Sequence, residues 1–336
     1  MTTRIDHASA PELSALLERY RDTHDVHYGA EQHTDHGPMV TLALVGLGVP
    51  AAAVFAHARR YESRLAALGT RRMHLDTATW QTAVGRLDAY PDLVAFFDAE
   101  VARHGWRDAA TRYLPGLVSG WVGDAYHGLI RLGYGIELEV PSEVSAGLAY
   151  LAALGPDPVL VDLAARSSTD APLEQAQKRY IEAFGRGTFA ERYERVVASG
   201  VVAACMPSPT DALRRAARTS LAVFDSTHGF FALHLVTGSH AFRVCAPYAG
   251  PDAERLLWAG IIAGYLCIGA PPIRRPSAPR RPTADFDFRD DEHDIKLAFS
   301  TRSQAEAFDD PEFLAVGERY LGDRLRAHAD PGSPGR

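Results

Sequence analysis
The 336-residue chain is expected to be all-α, one large multihelical domain over residues 1–327 with a flexible tail at 328–336. Three features predict this. Apolar residues recur at spacings of three and four along most of the chain, the period of a helix that buries one face. Strand-like alternation is sparse, and Gly and Pro act as punctuation between the periodic segments. At 46% hydrophobic residues a chain of this length can bury a large core, which excludes disorder over most of it.

The elements follow in order. Helices are expected at about 11–23, 38–47 and 50–67. Pro50 fits the first turn of the third and Gly48 the C-terminal cap of the second, so a helix–turn–helix accounts for Gly46-Leu47-Gly48-Val49-Pro50-Ala51. The same six residues match a G-x-G-x-x-A dinucleotide fingerprint. A Rossmann fold would need βαβ alternation afterwards, and the next segments read as consecutive helices at about 91–104 and 107–133, the latter broken near Pro115 and Gly116. Further helices are expected at 142–154, 172–185, 189–198, 209–224, 229–245 and 252–268. A Pro/Arg-rich loop near 271–285, beginning PPIRRPSAPRRP, reads as an extended linker or lid, with the acidic run ADFDFRDDEHD at its end. Helices at 290–308 and 311–327 close the domain.

Composition narrows the function. The longest apolar stretches, such as Ile261 to Gly269, are interrupted by Gly and too short to span a bilayer, and the N-terminus has no apolar leader. Cys205, Cys245 and Cys267 form no CxxC pair, which argues against a disulfide framework or a thiolate zinc site and for a reducing, cytoplasmic setting. A net charge of −7 leaves no basic surplus for nucleic acid. Of 35 basic residues 33 are Arg, and the two lysines are Lys178 and Lys296. Where a generic surface cation is written as Arg, a remaining Lys invites a reason, because only an amine can lose its proton and react. Lys178, in the polar run EQAQKRY, reads as an ordinary surface residue.

Fourteen histidines are many for this length, and neutral imidazole is the commonest metal ligand. Four segments stand out. His36, with Asp35 beside it and His33 one turn earlier, sits at the entrance of an apolar helix, as a capping residue or as an inward-facing ligand. His127 follows Gly120, Gly123 and Asp124 by seven, four and three residues, so it is expected to share a helix face with two glycines. It is either a ligand or a core histidine bonded to a carbonyl. His234 lies in the apolar run FFALHLVT, where a buried imidazole needs a metal or an acid as partner. His293 and Lys296, at i and i+3, share one helix face. An ammonium cannot coordinate a cation, but a lysine that has taken up carbon dioxide is a carbamate, which can; the alternative is a surface pairing of Lys296 with Glu292.

These segments, in this order, resemble the questin oxidase-like family. Asp35-His36 before an apolar helix and Leu47-Gly48 is similar to its Asn-His opening and A-L-G-A turn. His127-Gly-Leu-Ile-Arg-Leu-Gly-Tyr-Gly-Ile-Glu137 is similar to H-P-L-I-H-L-G-x-G-x-E, Phe231-Ala-Leu-His234-Leu-Val-Thr237 to F-x-x-H-x-x-T, and His293-Asp-Ile-Lys296 to H-x-x-K. The resemblance implies a helical oxygenase that uses O2 to cleave or oxygenate a ring of an anthraquinone-type aromatic polyketide, by Baeyer–Villiger-like or dioxygenase chemistry. It also implies a non-haem iron held by His36, His127, His234, His293 and a carboxylated Lys296, which leaves one octahedral position open. Asp35 stands where Asn is usual, and Gly128 and Arg131 replace the Pro and second His of H-P-L-I-H.

Around such a centre, Asp35, Asp124 and Asp294 are expected to accept a ligand imidazole's free N–H. Arg131, one turn from His127, bears on the substrate's charge. Trp80, Trp121, Tyr126, Tyr134, Phe230 and Phe231 read either as pocket lining or as helix core. Glu137 is carried by the motif match with no role assigned, and His33, His228 and His240 have none either. No site for a nicotinamide (NADPH) cosubstrate is visible, and nothing bears on the oligomeric state. Two other functions remain in view: a helical His-Asp metal-dependent phosphohydrolase, for which Asp309, Asp310 and His328 are the further ligands considered after the His293-Asp294 doublet, and a flavin or NADPH Baeyer–Villiger oxygenase using the Gly46 loop.

Overall fold
The computed structural model describes residues 10–30, 32–166, 169–207, 211–273 and 291–329, and among these the protein is all-α apart from one two-stranded hairpin. The Pro/Arg-rich segment from residue 274 on and the tail from residue 330 lie outside the described residues. Fifteen α-helices follow in order: α1 (Ala10–Thr23), α2 (Gly37–Gly46), α3 (Ala51–Glu62), α4 (Tyr90–His104), α5 (Trp106–Leu117), α6 (His127–Glu137), α7 (Pro141–Leu154), α8 (Pro158–Ala164), α9 (Pro172–Arg179), α10 (Phe189–Ala198), α11 (Ala212–Thr227), α12 (Phe230–Cys245), α13 (Ala253–Cys267), α14 (Glu292–Phe308) and α15 (Glu312–Ala329). The hairpin pairs β1 (His27–Tyr28) with β2 (His33–Thr34).

Four helices form the centre: α2 packs on α6, α6 on α12, α12 on α14, and α14 back on α2. All four run in the same direction. Glu137 at the end of α6 meets His240 late in α12, Tyr134 meets Ser300 of α14, and Arg302 of α14 donates to the Leu47 carbonyl just after α2. Their N-terminal ends therefore gather at one end of the bundle. Parallel neighbours need long connections, and α3 to α5, α7 to α11 and α13 supply them while packing around the centre. Gly133 makes the closest approach possible, since a Cβ there would lie 2.7 Å from the Ala241 Cα of α12.

Most helices lie where their period places them, and the departures have local causes. The helix expected at 107–133 is two helices. Pro115 sits inside α5, and the chain breaks instead over 118–126, in two short 3-10 turns ending with Asp124, Ala125 and Tyr126 at positive φ (48°, 49° and 74°). Gly120 and Gly123 thus share no α-helical face with His127. The helix expected to reach residue 67 stops at Glu62, the one expected to reach 185 stops at Arg179, and α8 and the hairpin were not anticipated. The Gly46–Ala51 loop joins two helices: Gly48 has φ 78°, Pro50 is the N-cap residue of α3, and the Phe299 ring fills the space over Gly46. The element leading into it is helix α2, not a strand. No single helix among the described residues is long and apolar enough to cross a membrane.

Candidate metal centre
Each of the four histidines stands at the start of one of the four parallel helices. His36 immediately precedes α2, where the Asp35 carboxylate accepts the Gly37 N–H (2.7 Å) and the Tyr61 hydroxyl accepts the His36 backbone N–H (2.9 Å). His127 opens α6 directly after the positive-φ turn. His234 lies one turn into α12, and His293 and Lys296 lie in the first turns of α14, whose N-cap Asp291 accepts the His293 backbone N–H (2.9 Å).

The rings converge. His36 stacks on His127 with centroids 4.7 Å apart, His127 meets His234 at 4.9 Å, His234 meets His293 at 5.3 Å, and His293 meets His36 at 4.7 Å. The Nε2 atoms of His36 and His127 are 2.9 Å apart. Three imidazoles have the other nitrogen occupied: Nδ1 of His127 on the Asp124 carbonyl (2.6 Å), of His234 on the Phe230 carbonyl (2.8 Å), and of His293 against the Asp291 carboxylate (3.2 Å). Those bonds fix the tautomer that leaves Nε2 with its lone pair. Inside the ring, Nε2 of His234, Nε2 of His293 and Nζ of Lys296 are buried without a hydrogen-bond partner. Lys296 is fully buried.

Burial sets the charge state. It holds the basicity of His36 and His234 well below the usual imidazole range, takes His127 down to about 3, and lowers His293. A charge on Lys296 pushes all four the same way. The Lys296 amine is itself lowered to about 7 by burial, against the opposing pull of Glu292 and Asp291. Near neutral pH the four imidazoles are therefore neutral, and a substantial share of the Lys296 amine is neutral with them.

The centre opens on a cleft of about 670 Å³. Its walls come from the hairpin (Tyr28, His33), the start of α10 (Phe189, Tyr193) and the start of α12 (Phe230, Phe231), with His36, His127, Glu292 and His293 at its floor. Phe189 and Phe231 stack at 4.9 Å, and Phe230 is 54% exposed at the mouth while its ring lies 4.7 Å from that of His293. Of the six aromatic residues named from sequence, Phe230 and Phe231 line this cleft; Trp121, Tyr126 and Tyr134 are fully buried core, and Trp80 packs against Phe96, Phe97 and Tyr113.

Several surrounding residues have other partners than expected. Asp35 caps α2, and burial raises its carboxyl to about 7. Asp124 does hold His127, but through its carbonyl. Its carboxylate instead accepts from His27 Nε2 (2.8 Å), the Thr34 hydroxyl (3.0 Å) and the Tyr150 hydroxyl. The acceptor beside His293 is Asp291 and not Asp294. Arg131 faces away from the cleft in a buried two-pronged pair with Glu143 (2.7 and 3.1 Å) and donates to the Tyr90 hydroxyl, so it has no contact with the cleft. Tyr134 bonds Ser300 (2.8 Å) and the Lys296 carbonyl (3.3 Å), and Glu137 binds His240 (2.6 Å), Arg243 (3.3 Å) and Ser303, tying α6, α12 and α14 together. His240 belongs to that network, His33 lines the cleft, and His228 ends α11 against Phe224 and Tyr320. Sequence reasoning missed Asp291 and His27, and named Glu292 only as a surface partner of Lys296. Only the position of Asp291, an Asp two residues before His293 at a helix start, carried a local signal.

Fold and site together define an all-helical protein with a buried four-histidine, one-lysine centre beneath an aromatic cleft. The chain belongs to the questin oxidase-like family, whose model matches residues 33–301, a span that holds all five residues. It is similar to the questin oxidase of Aspergillus terreus, 25% identical over 186 residues that cover 50% of this chain and 42% of that protein. It is also similar to a Baeyer–Villiger monooxygenase of Aspergillus aculeatus (26% over 162 residues, 43% and 34%) and to a Baeyer–Villiger oxidase of Emericella nidulans (30% over 90 residues, 23% and 19%). The aligned regions span less than half the length of these relatives.

Proposed function
We propose that the protein is an iron-dependent oxygenase that uses dioxygen to oxygenate or cleave a ring of a polycyclic aromatic polyketide of the anthraquinone type. The observation that carries this reading is the buried, unpartnered Lys296 amine inside a ring of neutral imidazoles. An amine there without a partner is unfavourable by several kcal/mol unless something completes the site. The donor set fits a transition ion. Two ligands bound to one ion at right angles with bonds of about 2.0–2.1 Å sit roughly 3 Å apart, which is the His36–His127 Nε2 separation of 2.9 Å. His36, His127, His234 and His293 would hold the ion through nitrogen, and Lys296 through a carbamate oxygen. Imidazole with an anionic oxygen donor suits iron(II), which when bound supplies the electrons and Lewis acidity that activate dioxygen.

The chain's own residues prepare this site. With its basicity lowered to about 7, the Lys296 amine is substantially unprotonated at neutral pH and can attack carbon dioxide. The N–C bond forms, one proton leaves to solvent, and a carboxylate on a long arm remains. The carbonyls of Asp124 and Phe230 and the carboxylate of Asp291 keep their imidazoles aimed inward. A cleft of about 670 Å³ with Phe189, Phe230 and Phe231 on its walls accommodates a planar three-ring substrate by stacking. The relatives' names, a questin oxidase and a Baeyer–Villiger monooxygenase, support the reaction class.

The other two functions find less support. Asp310 pairs with Arg218 (2.7 Å) and Asp309 closes the far end of α14, so neither joins His293. The Gly46 loop is entered from a helix, not a strand, and has no space over its first glycine. Elemental analysis of freshly purified protein, with a Lys296→Arg variant alongside, tests the proposal. Iron near one per chain in the wild type and its loss in Lys296→Arg are expected, because Arg keeps the length of the side chain but forms no carbamate. Full iron occupancy in Lys296→Arg would refute the carbamate, and a metal-free active wild type would refute the iron.

A further inference from the structure
His127, His234 and His293 each have an acceptor for Nδ1, whereas Nδ1 of His36 is buried without a hydrogen-bond partner. A neutral imidazole carries one N–H. If Nε2 of His36, which faces His127, gives its lone pair to a metal, the proton must sit on Nδ1 and point at whatever lies there. What lies there is the Glu292 carboxylate, with Oε1 3.7 Å from His36 Nδ1. That distance is too long for a hydrogen bond and roughly 1 Å beyond a charge-assisted one, a gap that a small side-chain rotation closes. Glu292 is free to make it: its side chain is 18% exposed at the floor of the cleft, at the first position of α14.

We infer that Glu292 is a positioning residue of the metal centre, accepting the His36 Nδ1–H when the centre is loaded and thereby fixing the tautomer that the other three imidazoles have fixed for them. The inference rests on the metal reading above. On this inference Glu292 acts through His36; its carboxylate also lies with ligand atoms of His36 and His293 within 4.8 Å of one another, so direct ligation is the competing role that the test separates. A carboxamide oxygen in its place can still accept the N–H, whereas a methyl group cannot.

The test is an anaerobic titration of the full chain with iron(II) in bicarbonate buffer, for wild type, Glu292→Gln and Glu292→Ala, with thermal melts of each metal-free protein as a check on folding. Glu292→Ala should weaken iron binding about 10- to 100-fold with an unchanged metal-free melt, and Glu292→Gln should restore binding to within about threefold of wild type. Unchanged affinity in Glu292→Ala overturns the inference. Equal loss in Glu292→Gln and Glu292→Ala also overturns it, since that pattern marks direct ligation or a requirement for charge. A wild type that does not bind iron overturns the metal reading itself; a wild type that binds iron with an indifferent Glu292→Ala overturns this inference alone.

Discussion

Lys296 shows what the centre demands of a single side chain. Burial takes its amine from the usual 10.5 down to about 7, so between those values the unfolded chain holds a proton on residue 296 that the folded chain lacks. Stability from this group therefore rises as pH climbs from about 7 to 10.5, and below 7 the full penalty, on the order of 3–5 kcal/mol, is present. Replacing the amine by an apolar group of similar length should remove that penalty. Lys296→Met is expected to raise the stability of the metal-free protein at pH 7 by about 1–3 kcal/mol, read as a higher melting temperature, while abolishing iron binding. The gap between variant and wild type should shrink as the pH approaches 10. A metal-free melt that does not move, or a gap that widens with pH, would show that the amine is not held against its preference. The imidazoles behave differently: His127, held down to about 3, loses the folded chain stability only as the pH falls below 6.5, so the two windows are separable in one pH series.

At the level of the helix, the site depends on how closely α6 and α12 approach. Alanine is a better helix former than glycine by about 1 kcal/mol. At Gly116, near the end of α5, a Cβ would meet nothing within 4 Å, and Gly116→Ala should stabilise by about 0.5–1 kcal/mol. At Gly133 the Cβ would lie 2.7 Å from the Ala241 backbone, and overpacking typically costs about 1–3 kcal/mol. The clash outweighs the propensity, so Gly133→Ala should destabilise despite its better helix former, and should weaken iron binding by pushing His127 from His234. Urea unfolding of the pair checks the signs; stabilisation by both would mean that α6 can shift without strain. These helices were legible in sequence because their apolar period is long. The break at 118–126 was not: its positive φ values fall on Asp124, Ala125 and Tyr126, none of them a glycine, and tertiary bonds to the Asp124 carboxylate anchor the turn. Asp124 receives His27, Thr34 and Tyr150, from the hairpin and α7, at sequence distances no local pattern reports. The seven residues of α8 are too few to show a period.

Across the whole molecule, residues 36 and 293 are neighbours only because α14 returns to pack on α2 and closes the four-helix ring. The five centre residues were recognisable through their residue types and the local motifs that carry the family resemblance, whereas the place of His127 at a helix start was not, since the sequence put it inside a longer helix. Their acceptors were less so, because Glu292, Asp291 and the Asp124 carbonyl take their roles from three-dimensional proximity. Four helix N-termini face the centre, each with an effective positive charge of roughly half an electron, a field that opposes protonated imidazole and favours an anionic donor such as a carbamate. A ligand set drawn from α2, α6, α12 and α14 exists only when the whole ring is formed, so metal should bind the native state and not the unfolded chain. Iron(II) at about 100 times its dissociation constant should then stabilise the protein by about 2.7 kcal/mol, seen as a melting temperature raised by a few degrees and reversed by a chelator. His234→Ala removes a donor from the fully buried side of the ring and should melt at the same temperature with and without iron. An iron-dependent shift in His234→Ala as large as in the wild type would place the metal at some other set of residues.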